Sequence, residues 1–160
     1  MIFSDTDNFY MQVAINEAKI AFKNGDVPCG AVIVLDNKII GRGHNKIELL
    51  NNPTAHAEML AITQACQELG NWRLTNAKMY VTKEPCIMCS GAIILARISS
   101  IAWGMSDEKK GGGSSKFNIF DNNQLNHSVK TQPGIMELEC TEIFKTFFKK
   151  IRSSSSSKKK

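Results

Sequence analysis

The sequence lacks a hydrophobic segment long enough to cross a bilayer, since apolar stretches such as 92–96 are far too short. It also lacks the basic N-terminal region of a secretory signal, because Asp5 and Asp7 lie there instead. No membrane association is therefore expected. The chain contains five cysteines, and without a secretory signal they are expected to be reduced thiols. These absences predict a cytoplasmic protein.

Acidic residues are absent from 145–160, where seven side chains are cationic. The whole chain carries +5, so the residues before this segment are slightly acidic. A basic end of this kind favours a polyanionic partner such as a nucleic acid. The alternative is a solvated tail, which we favour for the Ser-rich and Lys-rich residues 153–160. We therefore predict one domain, 1–152, followed by a disordered tail, 153–160.

Hydrophobic periodicity predicts helices and strands that alternate along the chain, without an internal repeat. An α/β fold with helices on both faces of a sheet is the usual result of such alternation. Helices are predicted at 6–24, from the Asn52-Pro53 pair to about 70, from Pro85 onward and at 135–152, and strands at 29–35, 38–41, 79–82, 98–104 and 128–131.

Two short motifs contain three candidate metal ligands, one fewer than a closed tetrahedral site requires. His56-Ala57-Glu58 is followed by Pro85-Cys86-Ile87-Met88-Cys89. One imidazole and two thiolates, from His56, Cys86 and Cys89, leave the fourth position of a tetrahedral Zn²⁺ open for water, as catalytic zinc sites do. Glu58, two residues from His56, can take a proton from that water and pass it to a leaving nitrogen. The set suits hydrolytic removal of an amino group.

Each half of this constellation has a simpler interpretation. A lone C-x-x-C is often redox-active or half of a structural zinc site. His56 alone could cap a helix, and Glu58 alone could be an ordinary surface charge. However, the chain has no second C-x-x-C, and no other cysteine lies near a histidine in sequence. The combination therefore favours a catalytic site.

H-A-E followed by P-C-x-x-C is the signature of the zinc-dependent cytidine and nucleotide deaminase superfamily. Within it, the chain resembles the bacterial tRNA-specific adenosine deaminases from about residue 7 to 152. The resemblance also rests on further motifs, namely 27–31, Asn45, 53–58, 80–86, 91–92, Asp107 with Lys109, 111–114, 126–127 and Phe147-Phe148 in a basic helix. It implies a three-layer α/β/α fold with a mostly five-stranded mixed sheet. It also implies a homodimer that converts the wobble adenosine of a tRNA anticodon stem-loop to inosine.

The resemblance implies roles for individual residues. His56, Cys86 and Cys89 would hold zinc, and Glu58 would shuttle protons. Asn45 would hydrogen-bond the base, the backbone near Ala57 would position the attacking hydroxide, and Asp107 would lie beside the substrate. The C-terminal helix would contact RNA through a set of aromatic and cationic side chains, Phe147, Phe148, Lys149 and Arg152. Asn45 as a turn residue, Asp107 as a solvated loop residue and the phenylalanines as core residues remain alternatives.

The chain departs from the family pattern at three positions, none of which is a predicted metal ligand. Ser106 stands where an Arg usually precedes the loop Asp, Lys83 replaces an apolar residue, and Cys29 replaces a common valine. These changes affect substrate choice rather than reaction type. A deaminase of free bases or nucleosides, and a non-catalytic zinc-stabilised RNA-binding module, are the competing functional hypotheses.

Overall fold

The computed structural model describes residues 3–157, and the side chains of 155–157 are not among those described. Within this range five strands, five α-helices and one 3-10 turn follow one another along the chain. Their bounds are α1 Asp5–Lys23, β1 Gly30–Leu35, β2 Lys38–His44, α2 Ile47–Leu50, α3 Ala57–Leu69, β3 Lys78–Lys83, α4 Ile87–Leu95, β4 Ser100–Met105, the 3-10 turn Ile119–Asp121, β5 Lys130–Pro133 and α5 Glu137–Ser157.

The strands form one mixed sheet in the order β2-β1-β3-β4-β5. β1 is antiparallel to both β2 and β3, whereas β3, β4 and β5 are parallel. The β1–β2 hairpin turns at Asp36 and Asn37, which have φ of 49° and 59°. These are the residue types that accept left-handed backbone conformations in a two-residue turn. The predicted five-stranded mixed sheet is confirmed.

Alternate residues of the central strands face two separate hydrophobic clusters. Ala31 and Ile33 of β1 face a cluster that includes α3 and α4, while Val32 and Val34 face the cluster of α1 and the start of α5. A strand buried on both faces needs apolar residues on both, which is why β1 is continuously hydrophobic. The helices thus form an outer layer on each side, and the predicted three-layer α/β/α architecture is confirmed.

Two glycines of β2 let α3 lie directly against the sheet. A Cβ added to Gly43 would stand 2.3 Å from the carbonyl oxygen of Ala57, and one added to Gly41 would stand 2.3 Å from that of Ala61. Only glycine leaves room for this approach. The contact fixes the position of the first turn of α3, where part of the site lies.

Both ends of helix α5 differ from the predicted boundaries. α5 begins at Glu137, two residues later than expected, and continues through Ser157 instead of ending at Arg152. Helix therefore occupies the first part of the predicted tail, while residues 158–160 lie outside the described residues. No helix in the range 3–157 is long and apolar enough to span a membrane.

Candidate active site

The motif residues meet at the carboxyl ends of two parallel strands. Lys83 ends β3 and pairs in register with Met105, which ends β4. Beyond them lies a cleft of about 670 Å³. Crevices at this edge of a parallel sheet are common ligand sites. The cleft is lined by Val27, Cys29, Asn45, Ile47, His56, Glu58, Lys83, Glu84, Cys86, residues 105–110, Glu137, Phe144 and Phe148.

Two helix N-termini bring the predicted metal ligands together. His56 is the N-cap of α3, Cys86 is the N-cap of α4, and Cys89 lies in the first turn of α4. Nδ1 of His56 lies 3.7 Å from Sγ of Cys86 and 3.5 Å from Sγ of Cys89. The three ligand atoms lie within 4.8 Å of one another. This arrangement can hold one metal ion.

The start of α3 differs from the prediction. Asn52 and Pro53 were expected to open the helix, but residues 52–56 form turns and extended backbone, and the helix begins at Ala57. Oδ1 of Asn52 instead accepts hydrogen bonds from the backbone N–H and the hydroxyl of Thr54, which closes a local turn. His56 is consequently the capping residue itself rather than a residue of the first turn.

The thiols and the imidazole influence one another's protonation. A hydrogen bond from Cys89, assisted by His56, lowers the pKa of the Cys86 thiol to about 3. The same contact with Cys86, together with burial, raises the pKa of Cys89. The hydrogen bond to Cys86 also raises the pKa of His56. A thiolate at the N-terminus of a helix is the form that a metal ion requires.

Glu58 lies beside this group but is not part of it. Its side chain is 5% exposed, lines the cleft, and has a raised pKa because of burial. Within the described part of the chain, the metal-competent group contains His56, Cys86 and Cys89 and no fourth side chain. The donor set therefore fits a Zn²⁺ ion with three protein ligands and a nearby carboxylate that is free for proton transfer.

Asn45 and Ala57, both predicted to contact substrate, contact each other. Oδ1 of Asn45 accepts a 2.9 Å hydrogen bond from the backbone N–H of Ala57, and Asn45 is 5% exposed. This bond fixes the orientation of the amide, since only its oxygen can accept from an N–H. The Nδ2 group of Asn45, a residue that lines the cleft, takes part in none of the hydrogen bonds found among the described residues. The Ala57 N–H, in contrast, is already used.

Asp107 lines the cleft, and its carboxylate is bound by the protein. Oδ1 accepts the backbone N–H groups of Lys109 and Lys110 at 3.0 Å, and Oδ2 forms an ion pair with Nζ of Lys83. Burial opposes ionisation, but the contact with Lys83 and the two N–H bonds lower the pKa of Asp107 overall. Asp107 therefore organises the loop and its neighbour Lys83.

Glu84 is a further site residue, and its sequence motif predicts no individual role for it. Its buried carboxylate accepts backbone N–H groups of Asp107, Ser114 and Ser115 at 2.8 to 2.9 Å, and the Ser115 hydroxyl also donates to it. Gly111 and Gly113 let the loop backbone close around it, and Gly112 lets the loop lie against the backbone of Cys86. An acid at a strand end, followed later by a Gly-rich and Ser-rich loop, was the signal available in the sequence.

The C-terminal helix contributes one aromatic pair to the cleft. The rings of Phe144 and Phe148 are 4.8 Å apart, as their i, i+4 spacing predicts, and both line the cleft. Phe147 is 5% exposed and packs against Phe22 of α1, with ring centres 5.5 Å apart. Phe147 therefore joins α5 to α1, and its buried ring is not placed to make the predicted RNA contact. Lys149 and Arg152 are exposed on α5 outside the cleft lining.

Comparison with known proteins gives consistent results. The family model described as MafB19-like deaminase matches residues 5–152. A tRNA-specific adenosine deaminase of Aquifex aeolicus is 48% identical over 146 residues, covering 91% of this chain and 96% of that protein. A structure from a study of A-to-I editing by tRNA:A34 deaminases at the wobble position of transfer RNA matches with a TM-score of 0.82 and 41% identity. That match covers 84% of this chain and 98% of the solved chain.

A guanine deaminase from Nitrosomonas europaea is similar in fold alone. Its structure matches with a TM-score of 0.76 at 17% identity and covers 92% of this chain and 86% of that one. The free-base deaminases therefore share the architecture. The high identity over nearly the full length lies with the tRNA deaminases.

Proposed function

The chain belongs to the MafB19-like deaminases and, within them, to the tRNA-specific adenosine deaminases, and on this premise we propose that it converts the wobble adenosine of a tRNA anticodon to inosine. One observation supports this proposal above the others. An imidazole and two sulfurs converge on one point beside the buried carboxylate of Glu58. Hydrolytic deaminases use such a set of groups to activate water and to protonate the leaving nitrogen.

We assign the cofactor as Zn²⁺, held by His56, Cys86 and Cys89. When bound, zinc supplies Lewis-acid activation of the water that attacks the base. The low pKa of Cys86 presents one sulfur as a thiolate before the metal arrives. The second thiol must lose its proton on metal binding, as ligand thiols do. Zinc affinity should consequently fall as the pH is lowered.

Glu58 is assigned as the general base and then the general acid. It takes a proton from the attacking water as the water oxygen bonds to C6 of the adenine ring, and it passes that proton to the ring nitrogen N1. Glu58 then moves the remaining proton of the new C6 hydroxyl to the amino nitrogen, the C6–N6 bond breaks, and ammonia departs to leave inosine. Burial raises the pKa of Glu58, which improves its ability both to accept and to return a proton near neutral pH.

Substrate contacts are assigned to groups that face the cleft. Nδ2 of Asn45 is oriented to donate to an acceptor of the purine, because its Oδ1 is held by Ala57. The Phe144–Phe148 pair offers an apolar wall for a splayed base, and Lys149 and Arg152 extend a basic surface along α5. Asp107 supports these contacts indirectly by shaping the loop.

Three further expectations accompany this function. We propose that the enzyme is a homodimer, that it acts in the cytoplasm where its tRNA substrate is found, and that residues 1–152 form the deaminase domain. The family match over residues 5–152 supports the last of these. Deamination of a free base or nucleoside, the competing activity, is not favoured by the relatives of highest identity.

The decisive experiment uses total tRNA. The purified protein is incubated with it, and A-to-G changes are then read by sequencing. We expect a change confined to wobble adenosines, and none with Glu58→Ala although that variant retains zinc. Loss of the carboxylate should reduce turnover by about 10² to 10⁴-fold. Equal editing by wild type and Glu58→Ala would contradict the role assigned to Glu58, whereas no inosine from either would contradict the proposed activity and favour a binding module.

A further inference from the structure

The cleft contains a partly buried ion pair to which the assigned mechanism gives no chemical task. Lys83 and Asp107 pair through Nζ and Oδ2, with side chains that are 20% and 15% exposed. Nζ of Lys83 also lies 5.6 Å from the ring centre of Phe144. An ammonium group has three N–H donors, and those that the ion pair leaves unused can donate to a ligand in the cleft.

Asp107 has little capacity left for a substrate. One of its oxygens accepts two backbone N–H groups, and the other accepts Lys83. Lys83, in contrast, has three N–H donors, and the contacts found for it are one hydrogen-bond acceptor and the face of one ring. Of the two groups, the lysine is therefore the one able to make a new hydrogen bond in the cleft.

The other end of the same strand offers a direct comparison. Lys78 begins β3 and pairs with Asp7 at 2.7 Å, but it also donates to Oε1 of Gln132 at 2.8 Å. The hydroxyl of Tyr80 donates to the same oxygen of Asp7. That pair forms a closed network away from the cleft. Lys83 has no such second acceptor among the hydrogen bonds of the described residues.

The remaining charges of the cleft make the position of Lys83 important. Acidic side chains line it, among them Glu58, Glu108 and Glu137. A polyanionic strand entering this space would be repelled unless a cation lay within it. Lys109 and Lys110 also line the cleft but are exposed on the loop, whereas the side chain of Lys83 is only 20% exposed.

We propose that Lys83, positioned by Asp107, donates to an RNA phosphate adjacent to the target nucleoside and so favours a nucleotide within a strand over a free base. This inference rests on the proposed function. Lys83 is the substrate-contacting residue and Asp107 is a positioning residue. Strand β3 thus carries the phosphate contact three residues before the metal ligand Cys86.

The first test measures binding without turnover. Affinity for an anticodon stem-loop RNA with a wobble adenosine is determined across a salt series, in the Glu58→Ala background. Adding Lys83→Gln should weaken binding about tenfold, as expected for loss of one charge-assisted hydrogen bond, and make the slope of log K against log salt shallower by about 0.7. Adding Lys78→Gln, the matched control, should leave the slope unchanged, and Lys83→Arg should restore it.

The second test changes the RNA and compares the effect of that change on the wild-type enzyme and on Lys83→Gln. Stem-loops are prepared with one neutral methylphosphonate linkage, placed on either side of the target adenosine. The wild-type enzyme should lose about tenfold in kcat/KM with one of them, and Lys83→Gln should lose nothing further from that replacement. Additive losses from the protein and RNA changes, or an unchanged slope for Lys83→Gln, would overturn the inference.

The positioning role of Asp107 has its own readout. Asp107→Asn should raise KM for the stem-loop several-fold while kcat stays near the wild-type value, because the lysine remains but is no longer held. The salt slope should remain that of wild type. If the wild type forms no inosine in any stem-loop, the proposed function fails, whereas the binding series still decides whether Lys83 contacts a phosphate.

Discussion

Oδ1 of Asn45 accepts a hydrogen bond from the backbone N–H of Ala57. Ala57 is the first residue of α3, where N–H groups have no partner within the helix. His56, the N-cap, makes no side-chain capping bond, so Asn45 performs this task from the loop after β2. One amide thereby fixes the backbone between His56 and Glu58, and its nitrogen is left free of that bond.

Two substitutions at Asn45 should separate these tasks. Asn45→Ala leaves the fully buried N–H of Ala57 without an acceptor, which should cost about 1 to 3 kcal/mol in the free energy of unfolding. Asn45→Asp keeps the acceptor and should remain near wild-type stability. Both lose the nitrogen donor, so kcat/KM for the stem-loop should fall in both. Denaturant unfolding and steady-state kinetics measure the two effects, and an Asn45→Asp variant with wild-type kcat/KM would contradict the base contact.

Neighbouring phenylalanines of α5 should respond in opposite ways. Phe147→Ala removes a buried ring from its contact with Phe22 and should destabilise the fold by about 3 to 5 kcal/mol. Phe148→Ala removes a ring from the cleft and should mainly weaken RNA binding, by about 1 to 3 kcal/mol if it stacks on a base. Thermal unfolding and RNA affinity distinguish them, and the reverse pattern would show that α5 presents its other face.

Cysteine reactivity should report on the metal site. The pKa of Cys86 is lowered to about 3, whereas burial raises those of Cys29 and Cys140 to about 12. In metal-free protein near neutral pH, iodoacetamide should therefore modify Cys86 first, because the thiolate is the nucleophile. Zinc should protect it. Peptide mass spectrometry after brief labelling checks both expectations, and preferential labelling of Cys29 or equal labelling with zinc bound would contradict them.

The distant ion pair of Asp7 should make stability depend on acid. Burial alone would raise the pKa of Asp7, but Lys78, Tyr80 and Ser4 together lower it well below 3.8. The folded-state pKa is below the unfolded one, so this contribution is fully present above about pH 5 and disappears as the pH falls further. Asp7→Asn should accordingly be less stable than wild type near neutral pH, with the difference shrinking below pH 4 or so. A constant difference across an acid titration would exclude this linkage.

Much of the site could be predicted because its residues lie in compact motifs. His56, Cys86 and Cys89 converge as their types and spacing predict, and Glu58 lies beside them. The first residue of α3 could not be predicted from the local sequence around it. Asn52-Pro53 is an acceptable helix start on propensity, but Asn45, distant in sequence, supplies the acceptor that lets the helix begin at Ala57.

The contacts of Glu84 also could not be predicted from the sequence. Its donors are backbone N–H groups of a loop that returns from beyond β4, and backbone donors leave no trace in residue identity. Phe147 illustrates a related limit. Helical spacing separates it from Phe144 and Phe148, but only the packing of α1 shows that its face is the buried one.

Residues 83–86 act on the 106–115 loop and on the proposed metal site at once. Lys83 holds the Asp107 side chain, Glu84 collects the loop N–H groups, the Pro85 carbonyl accepts the Gly112 N–H, and Cys86 supplies a sulfur. If a loop from another protein replaced residues 106–115 alone, its N–H groups would not match the acceptors that residues 83–86 provide. Engineering of target preference in this scaffold should therefore exchange both segments together, and mutant libraries confined to either one would contain mostly inactive clones.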